Sequence, residues 1–148
     1  MIAAEAAHLV FPILHRPGIF TLELGPPLGE ALDRPELNWT TGGDAPWRHQ
    51  TAVTLDGVDA AQCGGLTAPG QISWLETTVT GRVCVAYWWK LSSAPNYYTF
   101  FTLTNGSWAG GGYGERDWQP EAVSFAQGIN TLKWTYNTPP IDPTNWHG

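Results

Sequence analysis

Charge is scarce in this 148-residue chain, and positive charge scarcer still: 7 Lys and Arg stand against 13 Asp and Glu, a net charge of −6. An acidic surface repels phosphate backbones, so nucleic acid is not an expected partner. Long apolar runs are missing too. No stretch approaches the roughly 20 apolar residues that a membrane-spanning helix needs, and membrane insertion is not expected. The opening "MIAAEAAHLVFPILHRPG" carries Glu5 and His8 where a secretory signal wants Lys or Arg and then unbroken apolar sequence. It is not read as a signal. Cysteine is limited to Cys63 and Cys84. They are compatible with one bridge, which would suit an oxidising compartment, or with two separate thiols. Neither belongs to a CxxC pair, and no Cys/His cluster has zinc-ligand spacing.

Catalytic patterns are equally sparse. There is no GxSxG elbow, and His8, His15, His49 and His147 sit in the tails or a loop. A glycosidase needs two carboxylates roughly 5–9.5 Å apart. The strands offer only isolated Glu76 and Glu121, which would have to meet across strands. Glu115 and Asp117 are close in sequence but belong to the glycine-rich "GGGYGERDW", read as a flexible loop without the strand-before, helix-after context of a phosphate cradle. No enzymatic activity is expected.

What the chain does have is aromatic residues, nine of them Trp, more than a core of this size calls for. Residues 1–27 are apolar and proline-bearing without a sustained period. They are read as a linker or the tail of a preceding region, with about two turns of helix over 3–11 and a short strand "GIFTLEL" over 18–24. From 28 to 148 the texture is that of a β-sandwich: β-branched and aromatic runs separated by Gly, Pro, Asn and Asp. Strands are predicted over 51–55, 73–80, 82–91, 96–104, 122–126 and 130–136, with Asn105-Gly106 the strongest turn signal. In 82–91, Val83, Val85, Tyr87 and Trp89 form one apolar row, which assigns Trp89 to the core. Trp88 shares the small, mixed row of Cys84, Ala86 and Lys90, which leaves its ring face open. In 130–136, Leu132, Trp134 and Tyr136 share one face.

The series "LGEALDRPELNWTTGGDAPWRHQTAVTLDGVDAAQCG", "SWLETTVTG", "YWWKLSS", "NYYTFFTLTNG", "ERDWQ" and "GINTLKWTY", spanning about 28 to 136, resembles a module of large secreted bacterial multidomain proteins. That module is similar to the concanavalin-like, MAM-like jelly rolls. The resemblance implies an antiparallel jelly-roll sandwich, extracellular or on the cell surface, one accessory domain among the others of a larger chain, with an adhesive or carbohydrate-binding role. Two departures stand out. Tyr98 replaces an acidic residue after the Asn-Tyr pair, and Asn105 replaces the Asp of the turn. The closing strand with its Trp-Val-Asp-like motif is also missing after "KWTY". A fragment lacking its C-terminal strand is therefore expected, with an unpaired edge or a missing inner strand unless 18–24 fills the gap.

A sugar site wants aromatic faces for pyranose rings and nearby amides and carboxylates for their hydroxyls. The candidates are Trp88, Trp108, Tyr113, Asp117, Trp118 and Gln119, with Trp47 and Asn105 as further possibilities. Calcium is a weaker expectation, through Asp44, Asp56 and Asp59 around bent backbone; Asp56-Gly57 reads equally as an ordinary turn. The leading functional expectation is a non-catalytic module that binds a glycan or another surface component. The alternative is a structural spacer of a larger exported protein with no ligand of its own.

Overall fold

The computed structural model describes residues 2–4, 27–93, 95 and 99–140, the first three as backbone only. Among these residues, ten strands and one short helix appear in the order β1 (Ile2–Ala4), α1 (Leu28–Ala31), β2 (Trp39–Gly43), β3 (Arg48–Gln50), β4 (Ala60–Gln62), β5 (Ile72–Thr80), β6 (Cys84–Leu91), β7 (Phe100–Thr104), β8 (Ser107–Gly112), β9 (Arg116–Ser124) and β10 (Ile129–Asn137). They form two five-stranded sheets. Sheet A runs β3-β4-β1-β6-β9 and sheet B runs β2-β5-β10-β7-β8. The protein is an all-β sandwich, antiparallel except where β1 lies parallel to β4 and β6. No helix among the described residues is long and apolar enough to cross a membrane.

Alternation produces the core. Along β5, Ser73, Leu75, Thr77 and Val79 are buried while Trp74, Glu76 and Thr78 face outward. Along β10 the buried set is Asn130, Leu132, Trp134 and Tyr136. On β6 it is Tyr87, Trp89 and Leu91, so Trp89 (8% exposed) is core and Trp88 (42%) is not. Trp134 is the hub: it stacks on Trp39 with centroids 6.0 Å apart and meets the edge of Tyr87 at 5.1 Å. Trp89 packs on Phe100 at 4.9 Å. The two sheets are also joined by a polar stitch. The hydroxyls of Tyr87 on β6 and Thr102 on β7 are hydrogen-bonded at 2.9 Å, both buried. Burial pushes the Tyr87 phenol well above its usual range.

The Asn105-Gly106 turn is realised as a two-residue hairpin. Both residues have positive φ, 50° and 79°, as a primed turn demands. Asn105 uses both ends of its amide: Oδ1 accepts from the Thr131 N–H and Nδ2 donates to Asn130 Oδ1. An ionised Asp could make only the first of these bonds.

Several expectations are corrected. Residues 51–55 are not a strand. Gln50 Oε1 accepts the N–H groups of Ala52 and Val53, and its Nε2 donates back to Val53 O, so a side chain occupies the backbone groups a ladder would have used. The stretch read as a glycine loop contains the second half of β8 and the start of β9. Trp47 is core, 3% exposed. Residues 2–4 are strand rather than helix and belong to sheet A, so the segment read as a linker or preceding tail contributes to the sandwich. The remainder of 3–11, and the proposed strand at 18–24, lie outside the described residues, as does Tyr98. β1 occupies an inner position of sheet A between β4 and β6, and along β6 it pairs with Trp89–Leu91. Among the described residues, Cys84 to Trp88 have a strand beside them on the β9 side alone. Cys63 is buried, Cys84 is exposed, and the two do not bridge.

Candidate functional site

β8 is the edge of sheet B and β9 the edge of sheet A. Where these two edges face each other the sandwich stays open, leaving a hollow of about 390 Å³ lined by Trp89, Trp108, Gly110, Gly111, Arg116, Gln119, Pro120 and Glu121. The register explains its chemistry. Glu121 lies opposite Tyr87, Gln119 opposite Trp89 and Val123 opposite Val85. These β9 residues therefore share the inner face of the sheet. Val123 is buried where the sheets close, but Gln119 and Glu121 put polar groups on that face where they part. Past an irregularity between Trp89 and Leu91, Arg116 comes opposite Leu91 and joins them. Pro120 is tolerated because β9 is an edge strand with one side free of the ladder.

The glycines on β8 make the opposing wall. A Cβ at Gly110 would collide with the Glu121 carboxylate, and one at Gly112 would come within 2.9 Å of the Trp89 ring. The glycine run thus seats a carboxylate and an indole against a strand. A bulge between Thr102 and Leu103 on the β7 side leaves Ala109 unmatched next to Trp108. Bulges turn a side chain out of its regular direction, and Trp108 stands 65% exposed at the rim. The hollow therefore combines an open indole face with an amide, a carboxylate and a guanidinium.

Of the residues expected from the sequence, Trp108 and Gln119 line this hollow. Gln119 Nε2 donates to the carbonyls of Asp117 and Trp118, at 3.0 and 3.3 Å, leaving its Oε1 as an acceptor. Tyr113 borders the site, half-buried: its ring lies 5.9 Å from the Arg116 guanidinium and its carbonyl accepts from Arg116 Nε at 3.4 Å. Asp117 is engaged elsewhere. It pairs with Lys90 at 3.0 Å and accepts the Trp118 N–H, and the Lys90 bond lowers its pKa. Trp118 is half-buried and lines neither hollow. Trp88 belongs to a different place. It lines a separate hollow of about 600 Å³ with Leu37, Trp39, Val79, Val85, Tyr87 and Trp134. Trp88 and Trp108, the exposed Trp rings among the described residues, thus do not form one platform.

No family model, curated protein or solved structure matches this chain.

Arg116 was not among the residues picked from the sequence, and Glu121 was considered there only as a catalytic carboxylate, not as a ligand contact. A signal was present: Gln119, Glu121, Val123 and Phe125 alternate through "WQPEAVSF". Pro120 and the glycines before it concealed that period. The other chemical readings resolve locally. Glu76 faces outward from sheet B, paired with Lys133 at 3.5 Å, whereas Glu121 faces inward from sheet A, so the two carboxylates do not meet. Glu115 accepts the Ser92 hydroxyl at 2.9 Å. Asp44 accepts the Ile72 N–H, Asp56 accepts the Val58 N–H and Asp59 contacts His49 Nε2 at 3.1 Å. The three aspartates do not gather around one point, and among the described residues no cluster of three or more His, Cys, Asp or Glu is placed to hold a metal.

Proposed function

We propose that this protein is a non-catalytic binding module, a jelly-roll sandwich of an extracellular or cell-surface protein, that holds a glycan against Trp108 in the hollow between β8 and β9. The observation that carries the reading is the pairing of an exposed indole with inward-facing polar side chains at a place where the sandwich is open. On the inner face of β9, Val123 is buried where the sheets close, while Gln119 and Glu121 present polar groups to the hollow. An indole offers a flat apolar surface to the C–H face of a pyranose, and flanking amide and carboxylate groups fix its hydroxyls.

The site is shallow and has one clear stacking ring, so affinity falls on the micromolar-to-millimolar scale, about −8 to −4 kcal/mol. Binding responds little to salt, since stacking and hydroxyl hydrogen bonds are not screened as charge pairs are. The test is a glycan array with the intact chain, followed by ¹⁵N-indole NMR titration of the parent and Trp108→Ala. A shift of the Trp108 indole resonance on adding an array hit, with binding abolished in Trp108→Ala, supports the reading. An array without hits, or a Trp108→Ala variant that binds as the parent does, leaves a structural spacer.

A further inference from the structure

Arg116 and Glu121 line one hollow yet form no ion pair with each other. Among the described residues, no ion pair within 4.0 Å involves either. Arg116 spends Nε on a long bond to Tyr113 O and lays its guanidinium near the Tyr113 ring, which leaves the Nη groups as donors. Glu121 is half-buried, against Gly110 and beside the Tyr87 phenol, a neutral group that can donate to the carboxylate without balancing its charge. Drawing a carboxylate partly out of water without a cation beside it is costly. A glycine at 110 is what makes the position available at all.

A cavity that keeps two opposite charges unpaired selects among ligand classes. An anionic group would satisfy Arg116 and confront Glu121; a cationic group would do the reverse. Adjacent hydroxyls suit both, because each can accept from the guanidinium and donate to the carboxylate. We infer that the hollow takes a neutral pyranose, with two neighbouring ring hydroxyls bridging Arg116 and Glu121 while the sugar's apolar face rests on Trp108. This rests on the glycan reading above and adds to it the charge class of the sugar and the residues that set it.

The experiment measures binding of methyl gluco-, galacto- and mannopyranoside by NMR titration of the intact chain, each beside its 6-uronate and its 2-amino-2-deoxy counterpart. The neutral member of at least one series should bind about tenfold or more tightly than both charged counterparts, the scale of one charge-assisted hydrogen bond. Glu121→Gln should narrow the gap to the uronate, and Arg116→Gln the gap to the amino sugar. Gly110→Ala, which displaces the carboxylate without removing it, should act as Glu121→Gln does. Equal binding of neutral and charged members, abolished by Trp108→Ala, overturns this inference while leaving the glycan reading intact. Absence of binding by every member overturns this inference, and the glycan reading falls with it only if the glycan array is also without hits. A preference for phosphocholine over all the pyranosides also overturns it, since a zwitterion meets both charges as well.

Discussion

The hydroxyl pair between Tyr87 and Thr102 offers a direct test of how the two sheets are held together. Tyr87 is 8% exposed and Thr102 fully buried, and their oxygens are 2.9 Å apart across the sheet interface. Tyr87→Phe removes one partner and keeps the ring against Trp134. It strands the Thr102 hydroxyl away from water, and a buried polar group left unsatisfied costs about 1–3 kcal/mol. For a chain of this length each kcal/mol lowers Tm by roughly 2–4 °C. Thr102→Val strands the phenol instead. That loss should fall at the low end of the same range, because Glu121 lies opposite Tyr87 and offers a second acceptor. The double variant removes both groups, so nothing is left unsatisfied, and it should lose less than the two single losses added together. Urea unfolding of all four proteins closes the cycle. The two hydroxyls should show a coupling of about 1 kcal/mol; losses that add to within about 0.3–0.5 kcal/mol, as at independent sites, would refute the stitch.

Two further predictions concern the core. Trp89→Ala empties a site packed on Phe100 and Gly112 and should cost about 3–5 kcal/mol, whereas Trp88→Ala, at a residue 42% exposed, should cost clearly less; equal losses in denaturant melts would refute the face assignment. Tyr136 is buried, and burial pushes its phenol from 10.0 up to about 12, the proximity of Cys63 and Glu115 adding to the rise. The folded state then keeps a proton that the unfolded chain gives up, so this contribution is complete below pH 10 and fades as pH rises toward about 12. Stability measured across that window should fall in the parent and fall less steeply in Tyr136→Phe.

Much of the architecture was legible without coordinates. The alternating runs in β5, β6, β7 and β10 contain enough β-branched and aromatic residues to specify strands and faces alike. Trp89 and the row of Leu132, Trp134 and Tyr136 fell on the core side because period two fixes which side chains share a face. The Asn105-Gly106 turn followed from backbone preference alone, since only a few residues accept positive φ. These are local determinants, and local sequence carries them.

The site was only half legible. Trp108 and Gln119 were candidates, but Arg116 and Glu121 acquired meaning only when two strands from different sheets were set edge to edge. The glycine run looks like a flexible loop until it is seen that Gly110 and Gly112 leave room for Glu121 and Trp89, residues respectively eleven after Gly110 and twenty-three before Gly112 in the numbering. Trp88 and Trp108 both stand exposed, as a binding surface would require, and their separation into two hollows was invisible along the chain. Sequence by itself therefore determined the fold class, the strand faces and the principal turn, which depend on neighbours one to four residues apart. Tertiary structure decided which polar side chains share a cavity, because that depends on strand order and register between segments with no sequence relation to one another.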